Sequence, residues 1–221
     1  MQKQESRRLK RVWHPSAPNP SAPKGGLVGA ALTVVLLLIF PKLYAQNWDI
    51  NTLNNINPAN PSSKVWQLAT SSAYPVAVGV PAGMLVVGYI NHDKKLELNG
   101  WKIVGSLAVN TVIAEGLKYA VNRERPYEKY PLLIHPYDAT EKGQSFPSGH
   151  TSEAFAMAAS LSIECKKWYV VLPAYTYATA VGYSRLYLGE HYPTDVLAGA
   201  AIGVGSAYLS NWLQHKFFKQ K

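Results

Sequence analysis

The chain has 221 residues, 48% of them hydrophobic and only 16% charged, with a formal net charge of +9 and a single cysteine. That length suits one compact domain, and the lone Cys165, a loop-edge residue by its neighbours, excludes an intramolecular disulfide or a cysteine-based metal cluster. Nucleic-acid binding would need a basic face with base-reading or stacking motifs, and none occurs; a basic, apolar chain suits a membrane better.

Residues 1–26 carry six Lys/Arg against the single acid Glu5, with Pro15, Pro18, Pro20 and Pro23 and no apolar period, so they read as a disordered basic tail. Leu27 to Phe40 is an apolar run followed by a polar segment. Residues 27–45 therefore read as a signal peptide cleaved after Ala45, or as an uncleaved N-terminal transmembrane anchor. The next segment, 46–72, is rich in Asn, Pro and Ser and reads as a polar loop with at most a short helix. Five helices are predicted after it: Ala73–Asn91, Trp101–Ala120, His150–Ile163, Trp168–Tyr183 and Pro193–Leu213. A basic tail at 216–221 closes the chain.

These helices are studded with Gly, Ala and Ser, and Gly199, Gly203 and Ala207 form a stripe at four-residue spacing. So much glycine is costly in a soluble helix but lets membrane helices approach closely. No alternating strand-like run occurs. The expected fold class is all-α, an integral-membrane bundle of about six helices counting the N-terminal one. Loop charge orients it. Lys94 and Lys95, Lys166 and Lys167, and the 216–221 tail fall on one side, the cytoplasmic side by the positive-inside rule. The loops 121–149 and 184–192 fall on the other, facing the periplasm or exterior, although Arg123, Arg125, Lys129 and Lys142 oppose that rule there. The short, half-apolar His150–Ile163 leaves a soluble periplasmic bundle as the alternative.

Three segments then converge on the outer side: Lys118-x6-Arg125-Pro126, Pro147-Ser148-Gly149-His150, and Ser184-Arg185-x5-His191-x3-Asp195. Lys118, Arg125 and Arg185 bring three cations to one point, enough to hold a dianionic phosphate, and arginine matches phosphate oxygens with a planar fork. Ser148 and Gly149 open a helix whose free N–H groups favour an anion, with the Ser148 hydroxyl as an added donor. His191 and Asp195 are four positions apart, so the carboxylate is placed to accept from one imidazole nitrogen and leave the other free to attack phosphorus. His150, at the mouth of this cradle, is placed to protonate the leaving oxygen. No metal and no other cofactor is required by this scheme.

Those three segments resemble the signatures of the type 2 phosphatidic acid phosphatase superfamily, which also holds vanadium haloperoxidases and bacterial class A acid phosphatases. The resemblance runs from Trp101 to about Leu213. It implies a helical phosphatase domain over 73–215, with His191 as nucleophile, Asp195 as its partner and His150 as acid. It also implies phosphate binding by Lys118, Arg125, Ser148, Gly149 and Arg185. The residues around Tyr187–Gly189 and Tyr192–Gly199 look more like membrane lipid phosphatases than soluble members. The expected substrate is a lipid phosphate or pyrophosphate in a bacterial inner membrane, such as undecaprenyl pyrophosphate, phosphatidylglycerol phosphate, phosphatidic acid or lipid A. No nucleic acid and no protein partner is expected. The alternatives are a soluble periplasmic acid phosphatase with the same site, and a non-catalytic lipid-headgroup binding or transport protein.

Neighbouring residues receive plainer readings. Glu115 is expected as the helix-face partner of Lys118. Glu153 is expected to complement the dipole of its helix. Arg123 is expected at lipid headgroups or the loop surface, and Tyr127, Tyr130 and Tyr137 as interfacial aromatics.

Overall fold

The structure is a computed structural model that describes residues 45–141 and 143–217. The basic tail, nearly all of the signal or anchor segment, and residues 218–221 lie outside them. Among the described residues the chain is all-α, with no strand. In chain order its helices are α1 (Ala45–Ile56), α2 (Lys64–Ser71), α3 (Ala73–Ile90), α4 (Lys94–Val121), α5 (Gly149–Cys165), α6 (Trp168–Tyr187) and α7 (Pro193–Phe217). A single helical turn, Pro126–Lys129, interrupts the long connection between α4 and α5.

The five predicted helices are all present, and their ends show why they start and stop where they do. Asp93 caps α4 by accepting from the Lys95 and Leu96 amides, each at 3.0 Å, which satisfies donors that a first turn leaves orphaned. This starts α4 seven positions before the predicted Trp101. Asn122, with φ of 46°, ends the helix in the left-handed region where asparagine is tolerated. The segment 46–72 is more helical than its composition suggests. Its Asn and Pro clusters fall between α1 and α2, while Ile50 and Leu53 bury one face of α1 against Tyr127, Ile134 and Tyr192.

Helices α3 to α7 run alternately up and down, and α5 sits at the centre, packed on α3, α4, α6 and α7. Its sequence is short and only half apolar. In the fold, Ala154, Ala156, Met157, Ala158 and Ala159 are nonetheless buried, because small side chains admit neighbours from every side. Gly203 shows how close that approach is. An added Cβ would stand 2.3 Å from the Ser152 carbonyl oxygen and 2.8 Å from the Ala156 amide nitrogen. The stripe predicted on α7 is therefore its seam with α5. Two of the helices, Ala73–Ile90 and Pro193–Phe217, are long and apolar enough to cross a membrane. The up-and-down order brings the C-terminal ends of α4 and α6 and the N-terminal ends of α3, α5 and α7 to one end of the bundle.

Candidate active site

That end gathers the charged residues singled out by spacing. The connection between α6 and α7 turns at Gly189, whose φ is 74°. A Cβ there would meet the His135 carbonyl oxygen at 2.7 Å, so only glycine fits. The turn sends His191 inward, 2% exposed. Its Nδ1 lies 2.7 Å from the Ser145 carbonyl oxygen. A proton on Nδ1 donated to that carbonyl leaves Nε2 as the lone-pair nitrogen, with no protein partner among the described residues.

Arg125 and Arg185 meet from two directions. Arg185 donates to Thr70 Oγ1 at 2.5 Å and to Glu141 Oε2 at 2.6 Å. Arg125 donates to Glu141 Oε1 at 3.2 Å, to the Gly143 carbonyl at 3.2 Å and to the Glu190 carbonyl at 3.2 Å. One carboxylate thus bridges both forks, each oxygen on one arginine. A carboxylate held this way stands in for an oxyanion, and bridging oxygens are also what a phosphoryl group presents. Arg185 Nε is buried with no hydrogen-bond partner among the described residues. A donor left dry in this way is costly unless something else accepts from it.

Lys118 and Gly149 come together on the other side of the site. The space beside the Gly149 Cα lies 3.5 Å from Lys118 Nζ and 3.1 Å from the Tyr74 hydroxyl. Lys118 is also paired with Glu115 at 2.8 Å, the expected helix-face contact. His150 follows Gly149, and its ring packs on Tyr74 with centroids 4.6 Å apart. Ser148 departs from expectation. Its hydroxyl is fully buried and paired with Thr151 Oγ1 at 2.9 Å, a contact within the first turn of α5.

Electrostatics follow from this crowding. Burial, with Arg185 and Arg125, holds the His191 imidazole well below its ordinary range, so it is neutral. Burial and then Arg185 lower His150 to about 3 at the first turn of α5, outside the two membrane-length helices. Burial works to raise the Glu141 carboxyl, but Arg185 and Arg125 outweigh it and draw the group down to about 2.

Residues 99–219 match the PAP2 superfamily. The chain belongs to that superfamily. It is 31% identical over 160 residues to the bacitracin transport permease protein BcrC of Bacillus licheniformis, covering 69% of this chain and 71% of that one. It is 33% identical over 121 residues to an undecaprenyl-diphosphatase of Sulfolobus acidocaldarius, covering 53% of this chain and 56% of that one. It is also 36% identical over 105 residues to a lipid A 1-phosphatase of Porphyromonas gingivalis, covering 46% of this chain but 21% of the relative. The chain therefore spans between about a fifth and about half the length of these last two relatives. The transmembrane PAP2-type phosphatidylglycerolphosphate phosphatase of Bacillus subtilis shares its fold, with a TM-score of 0.61 at 23% identity, over 86% of this chain and 96% of that one.

Within this PAP2 site the geometry departs from several expectations. Asp195 Oδ2 is 3.7 Å from His191 Nδ1, beyond hydrogen-bond reach. The imidazole is held by the Ser145 carbonyl instead, and the Ser145 hydroxyl donates to Asp195 Oδ2 at 2.5 Å. Arg123 is no surface residue: it donates to Asp195 Oδ1 at 2.6 Å and to Asp49 Oδ2 at 2.8 Å. Glu153 accepts from Thr111 at 2.6 Å, a contact between α4 and α5. Tyr127 is buried and donates to the Glu141 carbonyl, anchoring the backbone of that residue. Sequence reasoning missed Thr70, Tyr74, Glu141, Asp49 and Ser145. Only Ser145, two residues before Pro147, had a signal in its adjacency to a motif.

Proposed function

We propose that this PAP2 protein is a membrane phosphatase that hydrolyses a lipid phosphate or pyrophosphate through a phosphohistidine on His191. The observation that carries the reading is the Glu141 carboxylate bridging Arg125 and Arg185 at 3.2 and 2.6 Å, close to a neutral His191. On this reading the substrate phosphoryl group replaces that carboxylate. It takes the two arginine forks and the spare Arg185 Nε donor, with Lys118 and the α5 amides on its far side. Glu141 is 30% exposed on its side chain, enough to turn to solvent.

His191 Nε2 then attacks phosphorus in line with the scissile P–O bond. That bond breaks, and its oxygen leaves with a proton from His150. A water next attacks phosphorus, gives a proton to His150 and releases inorganic phosphate and free His191. His150 is deprotonated in the resting site, so the negative charge of the arriving substrate must supply the attraction that lets it hold a proton. Rate enhancement rests on fixed cations around the transferring group. The working unit begins at α1, upstream of 73, because Thr70 and Asp49 reach the site.

A membrane setting is supported by the outward faces of the bundle. Val78, Val86, Ile90, Val112, Leu172 and Leu197 are exposed there, an apolar surface that a water-soluble protein seldom presents. Trp101, Trp168 and Trp212 are exposed at the end away from the site, near Lys94, Lys95, Lys166 and Lys167. Interfacial tryptophan with lysine suits the cytoplasmic side, which supports a site facing the periplasm or exterior. The names of the relatives point to undecaprenyl pyrophosphate and lipid A as candidate substrates.

The deciding experiment measures phosphate release from a panel of lipid phosphates with EDTA present, wild type beside His191→Ala. Activity is expected to survive EDTA, to be inhibited by vanadate and to vanish in the variant. Strict dependence on an added divalent metal, or an active His191→Ala protein, would overturn the reading.

A further inference from the structure

We infer that Asp49, carried by α1 upstream of the residues that match the superfamily, is a positioning residue for Asp195 and, through Asp195 and the Ser145 that bonds both it and the imidazole, for His191. The inference rests on the phosphatase reading above and extends it to a helix outside the recognised domain.

Asp49 is 1% exposed. Its Oδ1 accepts from the Thr194 amide at 3.0 Å, and its Oδ2 accepts from the Thr194 hydroxyl at 2.6 Å and from Arg123 Nη2 at 2.8 Å. The other arm of Arg123 donates to Asp195 Oδ1 at 2.6 Å and to Thr194 Oγ1 at 2.7 Å. The guanidinium also stacks on the Tyr192 ring, 3.8 Å from its centroid. Two buried carboxylates from distant stretches of chain therefore share one fork, and that fork closes around the residue next to Asp195.

Docking α1 does not require this arrangement. Ile50 and Leu53 already seat the helix on Tyr127, Ile134 and Tyr192. Beyond its end, Asn57 donates to the His135 and Tyr187 carbonyls, both at 2.9 Å, and accepts from the His135 amide at 2.7 Å. A buried ion pair is a poor way to add stability to a contact that apolar packing already makes. What the pair adds is geometry and charge. Asp49 holds the Arg123 fork against one face of Asp195 while Ser145 and the Tyr192 amide occupy the other oxygen, at 2.5 and 3.0 Å. With both carboxylates ionised, the Asp49–Arg123–Asp195 group carries one net negative charge, where Arg123 and Asp195 alone would be neutral. Transfer of a phosphoryl group to Nε2 makes the imidazole ring cationic, and that negative charge lies on its Nδ1 side. No residue of this set touches substrate, so each acts by placing another.

The test is a double-mutant cycle on the full chain in detergent or vesicles, with Asp49→Asn, Asp195→Asn and the double variant. Asparagine keeps the size of Asp49 and one acceptor for the Thr194 amide, so the fold is retained. Thermal melting and the fraction of folded protein are measured beside turnover. Asp49→Asn is expected to lower kcat about tenfold with KM within about twofold, the size typical of residues that orient a catalytic group. Asp195→Asn is expected to cost more, and the double variant to match Asp195→Asn alone. The inference fails if Asp49→Asn keeps wild-type kcat, if its loss follows the folded fraction or falls on KM alone, or if it adds in full to that of Asp195→Asn. A folded wild type that releases no phosphate from any lipid phosphate would sink the phosphatase reading and this inference with it. A working wild type beside an indifferent Asp49→Asn would sink the inference alone.

Discussion

Arg123 and Arg185 are both largely buried at the same end of the bundle, yet they are held in opposite ways. Arg123 lies between two carboxylates on helices, Asp49 on α1 and Asp195 on α7, at 2.8 and 2.6 Å. Among the described residues Arg185 has one carboxylate partner, Glu141 at 2.6 Å, and that partner sits on the connecting loop with its side chain 30% exposed. A cation matched by immobile acids has its charge spent on the fold. A cation matched by an acid that can turn away keeps its charge for a ligand. On the proposed function, then, the exposure of the counter-charge, rather than proximity to the site, separates the arginine that would take phosphate from the one that would not.

The sharpest way to break this contrast is to remove each arginine in turn. Arg123→Ala leaves Asp49 and Asp195 buried without their cation and is expected to cost about 3–5 kcal/mol of stability, read as denaturant midpoint. Arg185→Ala should melt near wild type, because Glu141 can turn to water, while kcat/KM falls roughly 10²–10³-fold. The reverse pattern, an unstable Arg185→Ala and a stable Arg123→Ala, would mean the two roles are exchanged.

A smaller effect tests the counter-charge itself. If Glu141 competes with the phosphoryl group, Glu141→Gln should tighten inhibition by vanadate and by inorganic phosphate roughly three- to tenfold, since each tenfold corresponds to about 1.4 kcal/mol. Unchanged or weaker inhibition would show that the carboxylate does not occupy the substrate's place. The pH profile separates the arginines again. Burial, Arg185 and Arg125 hold His191 well below 6.5. A lowered imidazole pKa keeps the neutral, attacking form present as pH falls, so the acid limb of kcat/KM should lie below pH 6.5. In the residual activity of Arg185→Ala the limb should move up, and comparison on one substrate cancels the substrate's own titration.

What the sequence disclosed and what it hid divide along the same line. The five long helices were legible from apolar runs and small residues. That Lys118, Arg125, Gly149, His150, Arg185, His191 and Asp195 gather at one end of the bundle was legible because each sits at a helix end or in a connection with local spacing. Their partners were not. Asp49 and Thr194 are 145 positions apart, and Arg185 and Thr70 are 115 apart, so no window on the sequence joins them. Arg123 was misread for this reason: two residues from Arg125 in a loop, nothing local tells one fork from the other. The i,i+4 spacing of His191 and Asp195 suggested a direct hydrogen bond. The turn at Gly189 instead points the imidazole at the Ser145 carbonyl, and that depends on how the long connection before α5 folds back.

The mildest variant probes a cation of intermediate kind. Lys118 is paired with Glu115 at 2.8 Å on its own helix, but Glu115 is half-exposed. An ion pair that open to water is worth about 0–1 kcal/mol, so Glu115 restrains Lys118 only weakly. It should be neither a spent counter-charge like Asp49 nor a competing one like Glu141. Glu115→Ala is expected to leave kcat unchanged and to lower KM by no more than about twofold, as the ammonium becomes slightly freer to meet phosphate beside Gly149. A loss of kcat in this variant would make Glu115 a participant in proton transfer, and the rule drawn from Arg123 and Arg185 would then fail at the third cation of the site.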